Sequence, residues 1–453
     1  MSAGRGRRRS AATEERPASL RLWPPPEGFG LAGATAFLLF SAHLAYGALL
    51  AEPALIATAA AALLLLGALA TPRLRKDLLR VRGLLAPAVL FLLVLAVGVL
   101  SMTPFAPGGA HPVWSYVGLS PGAATIDRSA TLLELVKLMG LGCLFLVGAA
   151  TGASDERAKT AVNLLILLAA ALGLWAFFGF VTGGLYQSQK GRLEASFFNP
   201  NTAGTFFAAM VIVTLGPLMR RLRGVRLSRA VQVATAHWAA LLILVACLLM
   251  TASRGAALAT GAALGGLILL MLFSGKIAWS RATFGVLAGL LAAAVLLFLF
   301  GERLVARFEG VEESAVSRGE LFALHWQAFL ASPWMGYGLG TFDIVHRTLL
   351  DASSTESLWR IRATHNVYIQ WLEEAGLIGA LPMFGAITAV LAITAVRGLG
   401  RSRMTHILFA LMASNIVFLV HGFSDFALQT PSMALFWSYL LGLQFALSQG
   451  TRR

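Results

Sequence analysis

Two arginines and a histidine stand out as residues able to do chemistry, each lying just beyond an apolar run. Arg192 falls in the polar stretch 182–201, which ends in Asn199-Pro200-Asn201. Arg254 belongs to the turn Thr251-Ala252-Ser253-Arg254-Gly255, and His365 and Asn366 close a long polar segment in Ala363-Thr364-His365-Asn366-Val367-Tyr368. Guanidinium groups present planar, bidentate donors that match phosphate oxygens. Imidazole is the side chain best placed to accept a hydroxyl proton near neutral pH. A histidine base with the ordinary value would lose its function as pH falls through ~6.5.

Each residue also has an ordinary reading. An arginine at the end of an apolar helix commonly snorkels to the interface, and Arg192 is unremarkable in a solvated loop. Thr364 before His365 could cap a helix start. Glu373 and Glu374 compete with the histidine for the role of base. On a continuous helix, however, Glu374 would stand ~13.5 Å along the axis and ~180° around it from His365, which favours a structural or acceptor-orienting role. Glu373 is only its neighbour. His421 and Asp425 lie near the end of a later apolar run and read either as supporting contacts or as interfacial polar groups.

Metal and nucleotide chemistry find little support. No Asp-x-Asp pair occurs, and Cys143 and Cys247 each sit inside an apolar run without a partner at ligand spacing. We therefore expect no metal and no cofactor. Gly336-Tyr337-Gly338-Leu339-Gly340 has a nucleotide-loop spacing but follows no strand, so it reads as a turn.

The elements that must position these residues are set by composition. The chain has 453 residues, of which 57% are hydrophobic and only 13% charged, with a mean hydropathy of +0.75. Soluble domains carry roughly 25% charged residues, so this chain needs a bilayer to cover it. Apolar runs of spanning length fall near 29–50, 54–71, 84–102, 131–150, 160–181, 202–219, 232–252, 256–273, 282–300, 376–396, 405–423 and 431–448. They predict an all-α integral membrane protein with about twelve transmembrane helices and a tight turn at Glu52-Pro53 between the first two.

Placing both termini in the cytoplasm puts 25 of the 36 basic residues on the inner side, as the positive-inside rule requires. The net charge of +15 then fixes orientation and calls for no nucleic acid. The expected organisation is a disordered basic tail over 1–28, transmembrane helices 1–9 over 29–301, a large outer loop over 302–365, and helices 10–12 with a short tail over 366–453. The loop should contain an amphipathic helix near 317–330, and Trp114 and Tyr116 in a second loop, 103–130, suit the membrane interface. In cells with a breached outer membrane, Ala110→Cys and Leu350→Cys should react with an impermeant thiol reagent. Val225→Cys should not, and strong labelling there would reverse the topology.

With the residues in this order, the stretch His365-Asn366-x-x-Ile369-x4-Glu374-x-Gly376 resembles the signature of the bacterial O-antigen ligase and polymerase superfamily, with Ile369 where that signature has Leu. Asn199-Pro200-Asn201, Ser253-Arg254-Gly255, Ser317-Arg318 and Pro333-Trp334-Met335-Gly336 follow the family's order, so the resemblance covers roughly 190–425. It implies metal-independent glycan transfer from an undecaprenyl-diphosphate-type carrier on the periplasmic face of the bacterial inner membrane. The acceptor would be a hydroxyl of lipid A core or of another glycan. By match, Arg192 and Arg254 would bind the diphosphate, with Lys190 a neighbour able to replace Arg192. His365 would be the catalytic residue, and Asn366, Glu374, Arg318 and Asp425 would orient the acceptor or support the site. A polymerase that extends a lipid-linked chain remains the main alternative, and a protein hydroxyl is a further acceptor. A transporter or lipid flippase is the other class, but it should carry charges at mid-membrane between repeated halves.

Overall fold

The computed structural model describes residues 29–183, 191–275, 284–292, 294–295, 313–352 and 354–450. The basic tail 1–28, Lys190 and residues 282–283, 293 and 296–300 of the run 282–300 lie outside the described residues.

Among the described residues the fold is all-helical, with no strand. The long apolar elements are α1 (Phe29–Leu44), α2 (Ala51–Ala70), α3 (Leu85–Ser101), α4 (Arg128–Gly152), α5 (Asp155–Thr182), α6 (Pro200–Leu222), α7 (Thr235–Met250) and α8 (Arg254–Ser274). Next come α9 (Glu313–Ala331) and α10 (Phe342–Leu349) of the long loop, then α11 (Val367–Gly400), α12 (Thr405–His421) and α13 (Pro431–Leu447). Six of these, α2, α4, α5, α6, α8 and α11, are long and apolar enough to cross a membrane, and α1, α3, α7, α12 and α13 are shorter apolar helices. Eleven of the expected apolar runs are therefore helices.

The turn between the first two helices lies earlier than expected. The chain reverses through a 3-10 turn at Tyr46–Ala48, and Glu52 and Pro53 belong to the first turn of α2. Proline without an N–H and an acidic side chain both suit a helix N-terminus, so this pair starts a helix instead of breaking one.

Helix α6 is the axis of the bundle. Its whole apolar window is buried, and α7, α8 and α12 pack around it. The closest helix approach is between α4 and α13. A Cβ on Gly148 would stand 2.3 Å from Tyr439 O, one on Gly152 2.1 Å from Leu443 O, and one on Gly442 1.9 Å from Phe145 O. Small residues four apart let two backbones touch, which is how helices associate when lipid supplies no hydrophobic drive.

Charges sort to the two ends of the bundle. At one end Arg157, which is buried, pairs with Asp77 at 2.7 Å, Arg401 pairs with Asp155, and Arg397 donates to Arg82 O at 2.7 Å. The opposite end carries Arg192, Arg254, His365 and Asp425, because α6, α8 and α11 all begin there.

Helix α11 is broken at Gly376 (φ 57°, ψ −174°). Residues 367–375 thus form a short helix at the loop end, ahead of the apolar stretch 377–400. The break lets Leu377 and Ile378 donate to Pro333 O and Trp334 O at 2.8 and 3.1 Å. The long loop is clamped there: Tyr337 and Gly338 donate to Glu373 O and Glu374 O at 3.0 and 2.8 Å. A Cβ on Gly336 would meet Glu373 O at 2.4 Å. The glycine-spaced segment is therefore a turn that seats the loop against this helix.

Candidate active site

Arg192 is held between two helix starts. Its Nε donates to Thr251 O at 2.9 Å and its Nη2 to Asn201 Oδ1 at 3.1 Å, while Leu193 N donates to Met250 O at 2.9 Å. Asn199 caps α6, accepting from the amides of Asn201 and Thr202 at 2.8 and 3.1 Å, with Pro200 at the first helical position. Ser253 caps α8, accepting from Ala256 N at 3.3 Å, so that Arg254 is the exposed first residue of that helix. The two arginines sequence had separated by 62 positions thus meet on one turn, and the positive ends of α6 and α8 open there as well. That combination favours an anion.

The turn is also packed against the segment after α12. A Cβ on Gly255 would stand 2.6 Å from His421 Nε2, and His421 Nδ1 shares a hydrogen bond of 2.7 Å with Thr205 Oγ1. Four residues on, Asp425 is wholly buried. Neither of its oxygens completes a hydrogen bond of good geometry, although the amides of Phe426 and Ala427 and the Thr202 hydroxyl face it. Burial pushes its carboxyl up to about 7, against the pull of the Phe426 amide, Arg318, the Ala427 amide and Thr202.

His365 stands over this segment. Its ring meets Phe426 edge-on at 4.7 Å, and its buried Nδ1 has no hydrogen-bond partner among the described residues. Burial, and then the Arg318 guanidinium, lower it to about 4. The ordinary value near ~6.5 expected from sequence therefore does not apply, and His365 is a neutral imidazole in the physiological range. Arg318, from α9, acts electrostatically on His365, His421 and Asp425 together, so the long loop contributes a cation to the same place.

Asn366 is the residue on which α11 starts. Its Oδ1 accepts from Tyr368 N and Ile369 N at 3.0 and 3.1 Å, making it the cap of α11 in place of Thr364. Its Nδ2 donates to Phe423 O at 3.2 Å, and Val367 N donates to Gly422 O at 2.9 Å. Asn366 thus fixes His365 relative to Asp425. Thr364 instead supports the cap from behind, donating its hydroxyl to Asn366 O at 2.6 Å. Glu374 points elsewhere, accepting from Gly340 N at 2.8 Å and from Gln370 Nε2 at 3.0 Å. It ties the glycine turn to α11.

Strained backbone gathers at this end. Of the seven non-glycine residues with positive φ among the described residues, Tyr46, Ala48, Ala195, Phe198, Ala252 and His365 lie here, and only Met404 lies at the other end. Each costs on the order of 1 kcal/mol or more and persists where its surroundings over-determine it, a pattern typical of functional sites. Tyr46 and Phe198 stack on each other at 4.7 Å.

Sequence reasoning passed over one cluster. Glu373 Oε2 lies 2.6 Å from His325 Nδ1, His325 Nε2 lies 3.0 Å from His346 Nδ1, and His346 Nε2 donates to Leu358 O at 2.9 Å. All three side chains are fully buried. The available signal was a histidine on the apolar face of each loop helix, in Leu324-His325-Trp326 and Val345-His346-Arg347.

Comparison with known proteins gives a family match. Residues 239–384, about a third of the chain, fit the family model described as O-antigen ligase. That stretch contains the Arg254 turn, α9, the clamped glycine turn and His365. No curated protein matches the chain.

Proposed function

We propose, from the premise that the chain belongs to the O-antigen ligase family through residues 239–384, that it transfers a glycan from a polyprenyl diphosphate carrier to a hydroxyl acceptor on the periplasmic face of the inner membrane. The acceptor hydroxyl attacks the anomeric carbon and the bond from that carbon to the diphosphate oxygen breaks. The hydroxyl proton passes to His365, and the carrier leaves as the polyprenyl diphosphate. Charge builds on the leaving diphosphate, and donors held in place before the reaction stabilise it most effectively.

The observation that carries this reading is the bond from Arg192 to Thr251 O, which brings a second guanidinium onto the turn that opens with Arg254. An enzyme on the outer leaflet has no nucleotide sugars, so a donor already activated as a lipid diphosphate suits the site. Asp425 and Arg318 flank His365 and would orient the acceptor, whereas Asn366 and Glu374 hold the backbone that places it.

The missing Asp-x-Asp pair suggests that protein cations take the place of a divalent ion. Purified protein with lipid-linked donor and acceptor should therefore form product in excess EDTA. Activity lost to EDTA and restored by magnesium or manganese would overturn that part of the reading. We assign the acceptor to lipid A core. Deletion of the gene should then leave core without attached polymer on electrophoresis, whereas core bearing a single repeat would make the protein a polymerase.

A further inference from the structure

The hydrogen-bonded chain Glu373–His325–His346–Leu358 has a fixed proton count. Leu358 O can only accept, so His346 Nε2 carries a hydrogen. The contact between the two imidazoles needs a second hydrogen, and the contact at 2.6 Å between His325 Nδ1 and Glu373 Oε2 needs a third. Two neutral imidazoles and a carboxylate supply only two. The trio therefore holds one further proton. Without it, a carboxylate oxygen and a nitrogen lone pair would face each other in a fully buried space, which is costly. Burial lowers His325 to about 4 and also lowers His346, so the further proton rests on the Glu373 carboxyl. The charged and titratable groups around the trio are Tyr337 and Glu374 beside Glu373, and Asp343 and Arg362 beside His346.

The consequence runs along α9. Arg318 and His325 are seven residues apart, which puts them ~20° apart around the helix and ~10.5 Å apart along it. Whatever pins His325 therefore sets the direction in which Arg318 points. The pin is rigid, because His325 also stacks on Phe342 at 4.6 Å and Phe342 on His346 at 5.2 Å.

We infer that Glu373, His325 and His346 share one proton, and that this proton holds α9 in the rotation that keeps Arg318 over His365 and Asp425. The three are positioning residues, and their relevance to transfer rests on the function proposed above, whereas the seating of α9 does not. In the unfolded chain a glutamate releases its proton near ~4.3. The seating contributed by the proton is thus fully present below that value and is lost as pH rises through the value of the folded site.

Hydrogen–deuterium exchange over residues 318–331 of the full-length protein, corrected for the intrinsic pH dependence of exchange, tests this directly. In the wild type, protection should fall reversibly at alkaline pH by about tenfold, the scale of losing one buried hydrogen bond. Glu373→Gln offers an N–H that does not ionise, so its protection should persist across the range, and the alkaline decline in transfer activity expected of the wild type as Arg318 loses its seating should be absent from this variant. Glu373→Ala should lack protection at every pH. Wild-type protection that ignores alkaline pH, or a Glu373→Gln profile that overlays the wild type, would overturn the inference. Wild-type protein with the expected exchange but no glycan transfer would remove the proposed function and leave the shared proton standing.

Discussion

Arg254→Ala should abolish glycan transfer while leaving the protein expressed and membrane-inserted. The exposed side chain leaves from the first residue of α8, and the cap at Ser253 and the close packing of Gly255 on His421 both stay. Loss of one fixed donor to a developing oxyanion costs on the order of 10²–10³-fold in rate. Arg254→Lys should recover little, because the ammonium keeps the charge and loses the bidentate fork. Purified variants assayed with lipid-linked donor, together with electrophoresis of surface polysaccharide, provide the measurement. Near-normal polymer from Arg254→Ala would reduce Arg254 to an interfacial anchor. Arg192→Ala should also be inactive but is a less clean test, since it breaks the bonds to Thr251 and Asn201 that hold the turn.

Removal of the proposed base, His365, should show a comparable loss with a different signature. His365→Ala should lower the transfer rate by ~10²–10⁴-fold, the usual scale for general base assistance, with donor affinity nearly unchanged because we assign donor binding to the arginines. The base works as neutral imidazole, so activity is lost as pH falls through its pKa. In the free enzyme burial and Arg318 put that at about 4, and kcat/KM should hold down to about that pH. A bound diphosphate offsets Arg318, which predicts that kcat declines at a higher pH than kcat/KM does. His365→Gln can still orient a hydroxyl but cannot take its proton. A Gln variant with near-wild-type rate would leave His365 as a residue that only holds the acceptor.

The helices were legible in the sequence because crossing a bilayer demands long apolar runs, and eleven of them became helices. The arginines and the histidine were legible as residue types in a family-like order. Their convergence was not, because it depends on hydrogen bonds between distant segments, such as Arg192 to Thr251. Local capping misled twice for a related reason. Thr364 and Asn366 are both good caps, and only the contact with Phe423 selects Asn366. Glu52-Pro53 looks like a break until the 3-10 turn before it is seen. The Glu373–His325–His346 chain joins positions 48 and 21 residues apart, which no local pattern encodes.

The contact between α4 and α13 also sets an order of assembly. Membrane helices enter the bilayer as they are synthesised and associate afterwards, so α4 arrives with its glycine face uncovered and waits through the eight labelled helices α5 to α12 for its partner. The segment bearing His421 and Asp425 immediately precedes α13, and Ser432 at the start of α13 bonds His43 of α1 at 2.9 Å. The segment that carries Asp425 is therefore tied into the bundle only when the last helix reaches the first.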